Sequence, residues 1–451
     1  MTNDRTARGT GFPDDFLWGC ATSSYQIEGG ANAGGRGESI WDAFCREPGR
    51  VALGQSGDVA CDSYRRWPED VRLLAGLGVG AYRFSVAWPR VQPGGSGAAN
   101  RAGLDYYSAL VDALLAEGIE PWVTLYHWDL PLALGERGGW TDRDTAYRFA
   151  DYASLVYERL GDRVSHWTTL NEPWCSAFLG FEQGEHAPGL RDRRAALDAA
   201  HHLLLGHGLA VAAFRGSGLR GEIGLVINPA TPRPATRREA DVRAALRASV
   251  ERTGLWLDPV FGRGYPEEYL AARGAAMPAR PGDLELIASP IDFVGVNYYN
   301  EDAVVAAPPS AERPDGYATA PTANARTEMG WDVAPQGLRR VLGFIAERWP
   351  VRALYVTENG AAYPDAEIRD GRARDVDRIE YYRGHISACA DAIGDGAPLR
   401  GYFAWSLLDN FEWSHGYGKR FGLVSVDPMT MERRPKDSYY FYRDVIAGYM
   451  E

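Results

Sequence analysis

Two kinds of hydrophobic pattern alternate along the chain. Eight short runs are rich in Val, Leu, Phe, Tyr and Trp: 16–22 "FLWGCAT", 82–88 "YRFSVAW", 121–128 "PWVTLYHW", 166–171 "HWTTLN", 222–228 "EIGLVIN", 292–299 "DFVGVNYY", 353–358 "ALYVTE" and 400–406 "RGYFAWS". Such runs suit strands covered on both faces. Longer stretches with helical spacing lie between them. In 104–117, "LDYYSALVDALLAE", the apolar residues Leu104, Tyr107, Leu110, Val111, Leu114 and Leu115 form a one-sided stripe that Gly118 ends. A second helical stretch, 194–215, follows "HWTTLNEP". No repeat of solenoid length interrupts the order. Eight strands alternating with helices predict an α/β fold with a parallel sheet, and eight is the number that closes a (β/α)8 TIM barrel. An open doubly wound sheet has the same pattern and stands as the alternative. One domain over 1–451 is expected, with a flexible N-terminal tail at 1–11.

Two stretches read as long loops after strands, 28–60 and 301–330. Long loops in compact domains are usually functional or disordered. In a barrel, loops that follow strands surround the C-terminal mouth, where active sites sit. Both are therefore expected to form pocket walls.

Two strand-like runs end in a carboxylate beside an asparagine. "TTLNEPW" (168–174) delivers Glu172 after Asn171, and "LYVTENG" (354–360) delivers Glu358 before Asn359. On a barrel these are strands four and seven, and both side chains point into one mouth. Two facing carboxyls suit glycosidic bond cleavage: one protonates the leaving oxygen, the other attacks the sugar or activates water. A lone strand-end Glu is usually just solvated. Here Gln26, Arg83, His127, Trp128, Asn171, Asn297, Tyr299, Trp405 and Glu412 also fall at or just past strand ends. Hydrogen-bonding side chains mixed with indoles suit a sugar, whose hydroxyls need polar partners and whose C–H faces pack on aromatic planes.

The bulk composition narrows the partners. The chain has 451 residues, 45% hydrophobic and 24% charged, with a net charge of −12. That surface repels phosphate backbones and anionic bilayers, so neither nucleic acid nor membrane is expected as a partner. Five cysteines are scattered with no CxxC, which points to neither a disulfide framework nor a zinc knuckle. No apolar leader and no run of 18 apolar residues is seen, and a cytoplasmic protein is expected. Oligomeric state is not readable.

The motifs together resemble glycoside hydrolase family 1 β-glucosidases, from "FPDDFLWGCATSSYQIEG" (12–29) to "RRPKDSYYFYRDVI" (433–446). "TLNEP" (169–173), "VTENG" (356–360), "YRFSVAWPR" (82–90), "TLYHWDLP" (124–131), "NYY" (297–299) and "WSLLDNFEW" (405–413) carry the resemblance. Each alone is weak; all six in this order are specific. The resemblance implies a single (β/α)8 catalytic domain, a retaining mechanism, no cofactor and no metal. It implies Glu172 as acid/base and Glu358 as nucleophile, with Arg83, Asn171, Asn297 and Tyr299 supporting the nucleophile and transition state. It places Gln26, His127, Trp128, Asn171, Tyr299, Trp405, Glu412, Trp413 and Phe421 around the sugar, and Trp174, Phe178 and Trp331 on the leaving-group side. Small β-glucosides or cello-oligosaccharides, and hence cellulose degradation, are the implied substrates and setting. Galactose or fucose specificity, and transfer to an alcohol in place of water, remain open on the same site. A silent sugar-binding protein is the reading from another class, and the presence of both glutamates opposes it.

The physics of the pair sets a further expectation. A cation and a hydroxyl beside Glu358 should lower its pKa, while Glu172, facing a like charge, should be raised. Glu412 should repel a 6-phosphosugar. Three other signals are set aside. Gly76, Gly78 and Gly80 precede a strand, where a dinucleotide loop would follow one. His201, His202 and His207 do not share a helix face, so a metal site is not expected. Cys175 is read as a buried small hydrophobe.

Overall fold

The computed structural model describes residues 11–310, 316–365 and 368–449. The expected tail at 1–11 lies outside these residues except for Gly11. Eight parallel strands close a barrel: β1 (Leu17–Ala21), β2 (Ala81–Ser85), β3 (Glu120–Tyr126), β4 (His166–Asn171), β5 (Glu222–Ile227), β6 (Phe293–Asn297), β7 (Leu354–Asn359) and β8 (Leu399–Trp405). Each pairs with its sequence neighbours, and β1 pairs with β8 in register from Leu17↔Gly401 to Ala21↔Trp405. All eight expected runs are strands, and the closed barrel replaces the open-sheet alternative. The helices Arg101–Ala116 and Arg193–Gly216 match the two helical stretches to within a few residues.

The barrel is solid at its base and open at its top. Trp122, Phe293, Tyr355 and Phe403 fill the interior, with Trp122 stacked on His166 at 4.3 Å and within 4.7–5.3 Å of the other three rings. Adjacent strands carry glycine where two of these rings need room. A Cβ on Gly19 would sit 2.3 Å from the Phe403 ring, and one on Gly224 would sit 2.6 Å from that of Phe293. A methyl at either position would overpack the plug. Above this layer the inward positions turn polar.

Strict alternation would not bring the key residues of β4 and β7 into the mouth. On β4, Trp167 meets the helix residues Tyr157 and Phe214, and Thr169 bonds His207, so odd positions face outward. On β7, Val356 packs outward and Thr357 inward onto Asn297, so Glu358 would face the helices. Both strands slip register just before their ends, between Thr168 and Asn171 on β4 and between Val356 and Glu358 on β7. Such bulges re-aim side chains. Here they rotate Asn171 and Glu358 inward.

One of the two long loops forms wall as expected and the other does not. The 28–60 stretch contains a helix, Ile40–Arg46, with a Ser39/Asp42 capping box, and none of it reaches the cavity wall. It supports the wall from behind, with Trp41 packed 4.6 Å from Trp413. The described part of 301–330 holds a hairpin, Ala303–Ala306 with Tyr317–Ala320, and contributes Glu301, Asp302 and Met329 to the wall. The loop after β8 is clamped by a buried ionic network. Lys436 bonds Asp365 at 2.5 Å and Asp409 at 2.7 Å, Arg378 bonds Asp365 and Asp375, and Asp409 also accepts from the Gly422 amide. That loop carries Glu412, Trp413 and Phe421, so one of the chain's two lysines anchors the pocket without entering it.

Candidate active site

The strand ends surround a cavity of about 400 Å³. Its inner part is walled by His127, Trp128, Glu172, Glu358, Trp405, Glu412, Trp413 and Phe421; Trp174, Asn228, Arg252, Asp302 and Trp331 are also on the wall. Of the expected residues, Gln26, Arg83 and Asn171 are buried and do not line the cavity, though each bonds a residue that does, and Phe178 is out of place. It is 1% exposed and lies parallel to Trp174 at 5.9 Å, with its edge on Trp256. A π-helical turn over Cys175–Gln183 shifts the side-chain phase and puts Leu179 on the wall instead.

Glu358 is held from two sides. Arg83 Nη1 donates to Oε1 at 2.5 Å and the Tyr299 hydroxyl donates to Oε2 at 2.5 Å. The other arm of Arg83 reaches Asn171 Oδ1 at 2.6 Å, so one guanidinium fixes two strand ends. Burial nevertheless pushes Glu358 above the ordinary carboxylate value, against the pull of Arg83 and Tyr299, which is opposite to the expected net direction. Burial, which disfavours the charged form, outweighs the two partners.

Glu172 sits in a different setting. Its backbone is left-handed (φ +44°), as are those of Trp128 (+82°) and Trp413 (+49°), three strained positions around one cavity. The Glu172 amide is tied to Val226 O at 2.9 Å. Asn297 Nδ2 donates to Oε1 at 2.6 Å, and the Cys175 thiol donates to Oε2 at 3.0 Å. No cation bonds it among the described residues. Burial, and then the charge of Glu358, raise its pKa to about 7, opposed by those two hydrogen bonds. Between the two glutamates, Glu172 is the better place for a proton near neutral pH.

The sugar-facing residues are layered. Asn171 Nδ2 donates to His127 Nε2 at 3.1 Å, and burial keeps the ring neutral, so its proton sits on Nδ1, which has no partner among the described residues. Its ring runs nearly parallel to Trp405 and Trp413 at 6.0 and 5.9 Å. Gln26 is fully buried below Glu412. Its amide nitrogen reaches Phe411 O (2.9 Å), Asn410 (3.1 Å) and Glu412 (3.3 Å), three acceptors for two hydrogens. Burial and the charges of Glu358 and Glu172 push Glu412 up to about 8. Its repulsion of a phosphate is therefore weaker near neutrality than expected. Lys419, in the same loop as Glu412, turns to Glu328 O and is not on the cavity wall.

Three participants were not anticipated. Cys175 reads from sequence as core filler, yet its sulfur links Glu172 to Asn228, whose Nδ2 donates to it at 3.3 Å. Its position three residues after Glu172 was the available signal. Arg252 and Asp302 come from the β5 and β6 loops, and nothing in their local sequence marks them. For Cys175 the consequence is measurable. Removing a donor from the Glu172 carboxylate disfavours its charged form, so Cys175→Ala should move the alkaline limb of the kcat/KM profile to higher pH. Cys175→Ser, which keeps a donor, should restore it. An unmoved limb in Cys175→Ala would remove the thiol from the account.

One carboxyl in the mouth is thus clamped by a cation and a hydroxyl, and the other is placed to hold a proton. Residues 9–449 match the model of glycosyl hydrolase family 1. The chain belongs to that family. Beta-glucosidase A of Thermotoga maritima is 46% identical over 97% of this family 1 chain and 98% of its own length. A bifunctional beta-D-glucosidase/beta-D-fucosidase of Bifidobacterium breve is 45% identical over 97% of this chain and 98% of its own. The solved structure of the Thermotoga maritima family 1 β-glucosidase superposes with a TM-score of 0.94 at 46% identity, covering 97% of this chain and 98% of the other. No helix among the described residues is long and apolar enough to cross a membrane, and none of their His, Cys, Asp and Glu groups could hold a metal.

Proposed function

We propose that this family 1 enzyme is a retaining exo-β-glucosidase. It releases terminal non-reducing β-D-glucosyl residues through a glycosyl-enzyme ester. The observation that carries the assignment of roles is the asymmetry of the pair. Glu358 is aimed by Arg83 and Tyr299, and Glu172 holds a proton up to about pH 7. Glu358 attacks the anomeric carbon while Glu172 protonates the departing oxygen. Once the ester forms, the Glu358 charge is gone, Glu172 loses its proton more readily, and it draws a proton from the incoming water. Asn171, fixed by Arg83 and Asn297, meets the 2-hydroxyl as the oxocarbenium character grows. Trp128, Trp405, Trp413 and Phe421 pack the sugar, while His127, Glu412 and Gln26 take its other hydroxyls. Trp174 and Trp331 border the leaving group.

Glucose is the proposed sugar, with fucose as a second reading because the Bifidobacterium breve relative is named for both activities. A single catalytic domain over 1–451, action on cello-oligosaccharides in cellulose breakdown, and a cytoplasmic location are part of the same proposal. The test is kcat/KM on nitrophenyl β-glycosides of glucose, fucose, galactose, xylose and glucose 6-phosphate. The glucoside should rank first or equal first with the fucoside. Activity confined to the phosphosugar would overturn the reading of Glu412. An acceptor alcohol added to the same assay measures the share of transglycosylation.

A further inference from the structure

Asn359 follows Glu358 at the end of β7, is fully buried and does not line the cavity. β7 carries one extra residue there against both neighbours: Val356↔Val296 gives way to Glu358↔Asn297 on β6, and Val356↔Tyr402 to Asn359↔Ala404 on β8. A bulge of this kind leaves ladder groups in need of other partners. The Tyr298 amide still bonds Glu358 O at 2.9 Å, but the Tyr298 carbonyl accepts from the Asn359 side chain, Nδ2 to O at 2.6 Å. The second hydrogen of that Nδ2 goes to the Tyr381 hydroxyl at 3.1 Å, and Oδ1 accepts from the Tyr402 hydroxyl of β8 at 2.6 Å. One side chain thus joins the end of β6, β8 and the helix Val376–Gly394, which carries Tyr381. The Tyr381 hydroxyl in turn donates to Tyr299 O at 3.0 Å, and Tyr299 is the residue whose own hydroxyl holds Glu358 Oε2. The network therefore reaches the nucleophile twice, through the strand end of Glu358 and through the backbone of its hydroxyl partner.

We infer that Asn359 is a positioning residue for the nucleophile: with Tyr381 and Tyr402 it forms a buried strut that fixes the β7 bulge and the Tyr299 backbone together, so that Glu358 meets the anomeric carbon in one orientation. Asparagine suits the place because it donates twice and accepts once on a short side chain, whereas an aspartate would set an oxygen against Tyr298 O. The inference rests on Glu358 as the nucleophile.

The test uses Asn359→Ala, Tyr381→Phe and a control, Tyr152→Phe, which removes a buried hydroxyl that donates to Val86 O and Leu125 O across the barrel from β7. Three quantities are read. One is the melting temperature. Another is the rate of inactivation by 2,4-dinitrophenyl 2-deoxy-2-fluoro-β-glucoside, which follows the attack step alone. The third is the acidic limb of kcat/KM on nitrophenyl β-glucoside, which follows ionisation of Glu358. Inactivation should slow roughly 10- to 100-fold in Asn359→Ala, the scale of a misplaced reacting group, and less in Tyr381→Phe. The limb should move to higher pH in both, because a slackened Tyr299 hydroxyl favours the Glu358 carboxylate less. Tyr152→Phe should lose stability with neither change. A wild-type rate and limb in both Asn359→Ala and Tyr381→Phe would overturn the strut, as would equal changes in Tyr152→Phe. If Asn359→Ala does not fold, Tyr381→Phe alone decides. A label on a residue other than Glu358 in the wild type would overturn the underlying assignment instead.

Discussion

Glu358→Gln is expected to lower kcat on any β-glucoside on the order of 10⁵-fold or more, the scale of removing a covalent nucleophile. The isosteric amide keeps the volume between Arg83 and Tyr299, so sugar binding should persist. The variant also reports on its partner. The Glu358 charge is the second cause, after burial, of the raised Glu172 pKa. Without it, Glu172 should titrate below about 7, because only the ionised form felt that repulsion. A difference infrared titration of the Glu172 carboxyl, wild type against variant, measures the shift. A Glu172 that titrates higher in the variant would show that Glu358 is not the charge it faces.

The second large effect depends on the leaving group. Glu172→Gln should cost roughly 10²–10⁴-fold on cellobiose, whose departing alkoxide needs a proton. On 2,4-dinitrophenyl β-glucoside the first step needs none. There the variant should show a burst of dinitrophenol followed by slow turnover, because the ester forms and then lacks a base. The alkaline limb of the wild-type profile, set near pH 7 by Glu172, should vanish with it. Equal losses on both substrates, without a burst, would remove Glu172 from the acid/base role.

The barrel was legible because its strands are buried on both faces, so each reads as a compact apolar run bounded by helical stretches. The mouth residues were legible as strand ends, with one qualification. Alternation along β4 and β7 puts Asn171 and Glu358 on the wrong face, and the bulges that correct this leave no mark in the residue pattern. The same limit explains Phe178. Helical counting from Trp174 makes it a wall residue, and the π-helical turn rotates it into the core. The Gly-rich 28–60 stretch was read as wall from its position after β1, but its capped helix packs Trp41 behind Trp413 instead. Cys175, Arg252 and Lys436 are tertiary facts. Their roles come from partners 3 to 78 positions away, on other loops and strand ends, and a single residue type does not announce them. The direction of the Glu358 shift was missed because partners can be named from sequence while the loss of water cannot.

The central claim is that Glu358 bonds covalently to the sugar. Its most direct test is incubation with 2,4-dinitrophenyl 2-deoxy-2-fluoro-β-glucoside, whose fluorine slows breakdown of the ester, followed by intact and peptide mass spectrometry. One fluoroglucosyl group per chain, on the peptide containing Glu358, is the predicted result. A label on Glu172, or an unlabelled enzyme that still turns over the ordinary glucoside, would contradict the mechanism.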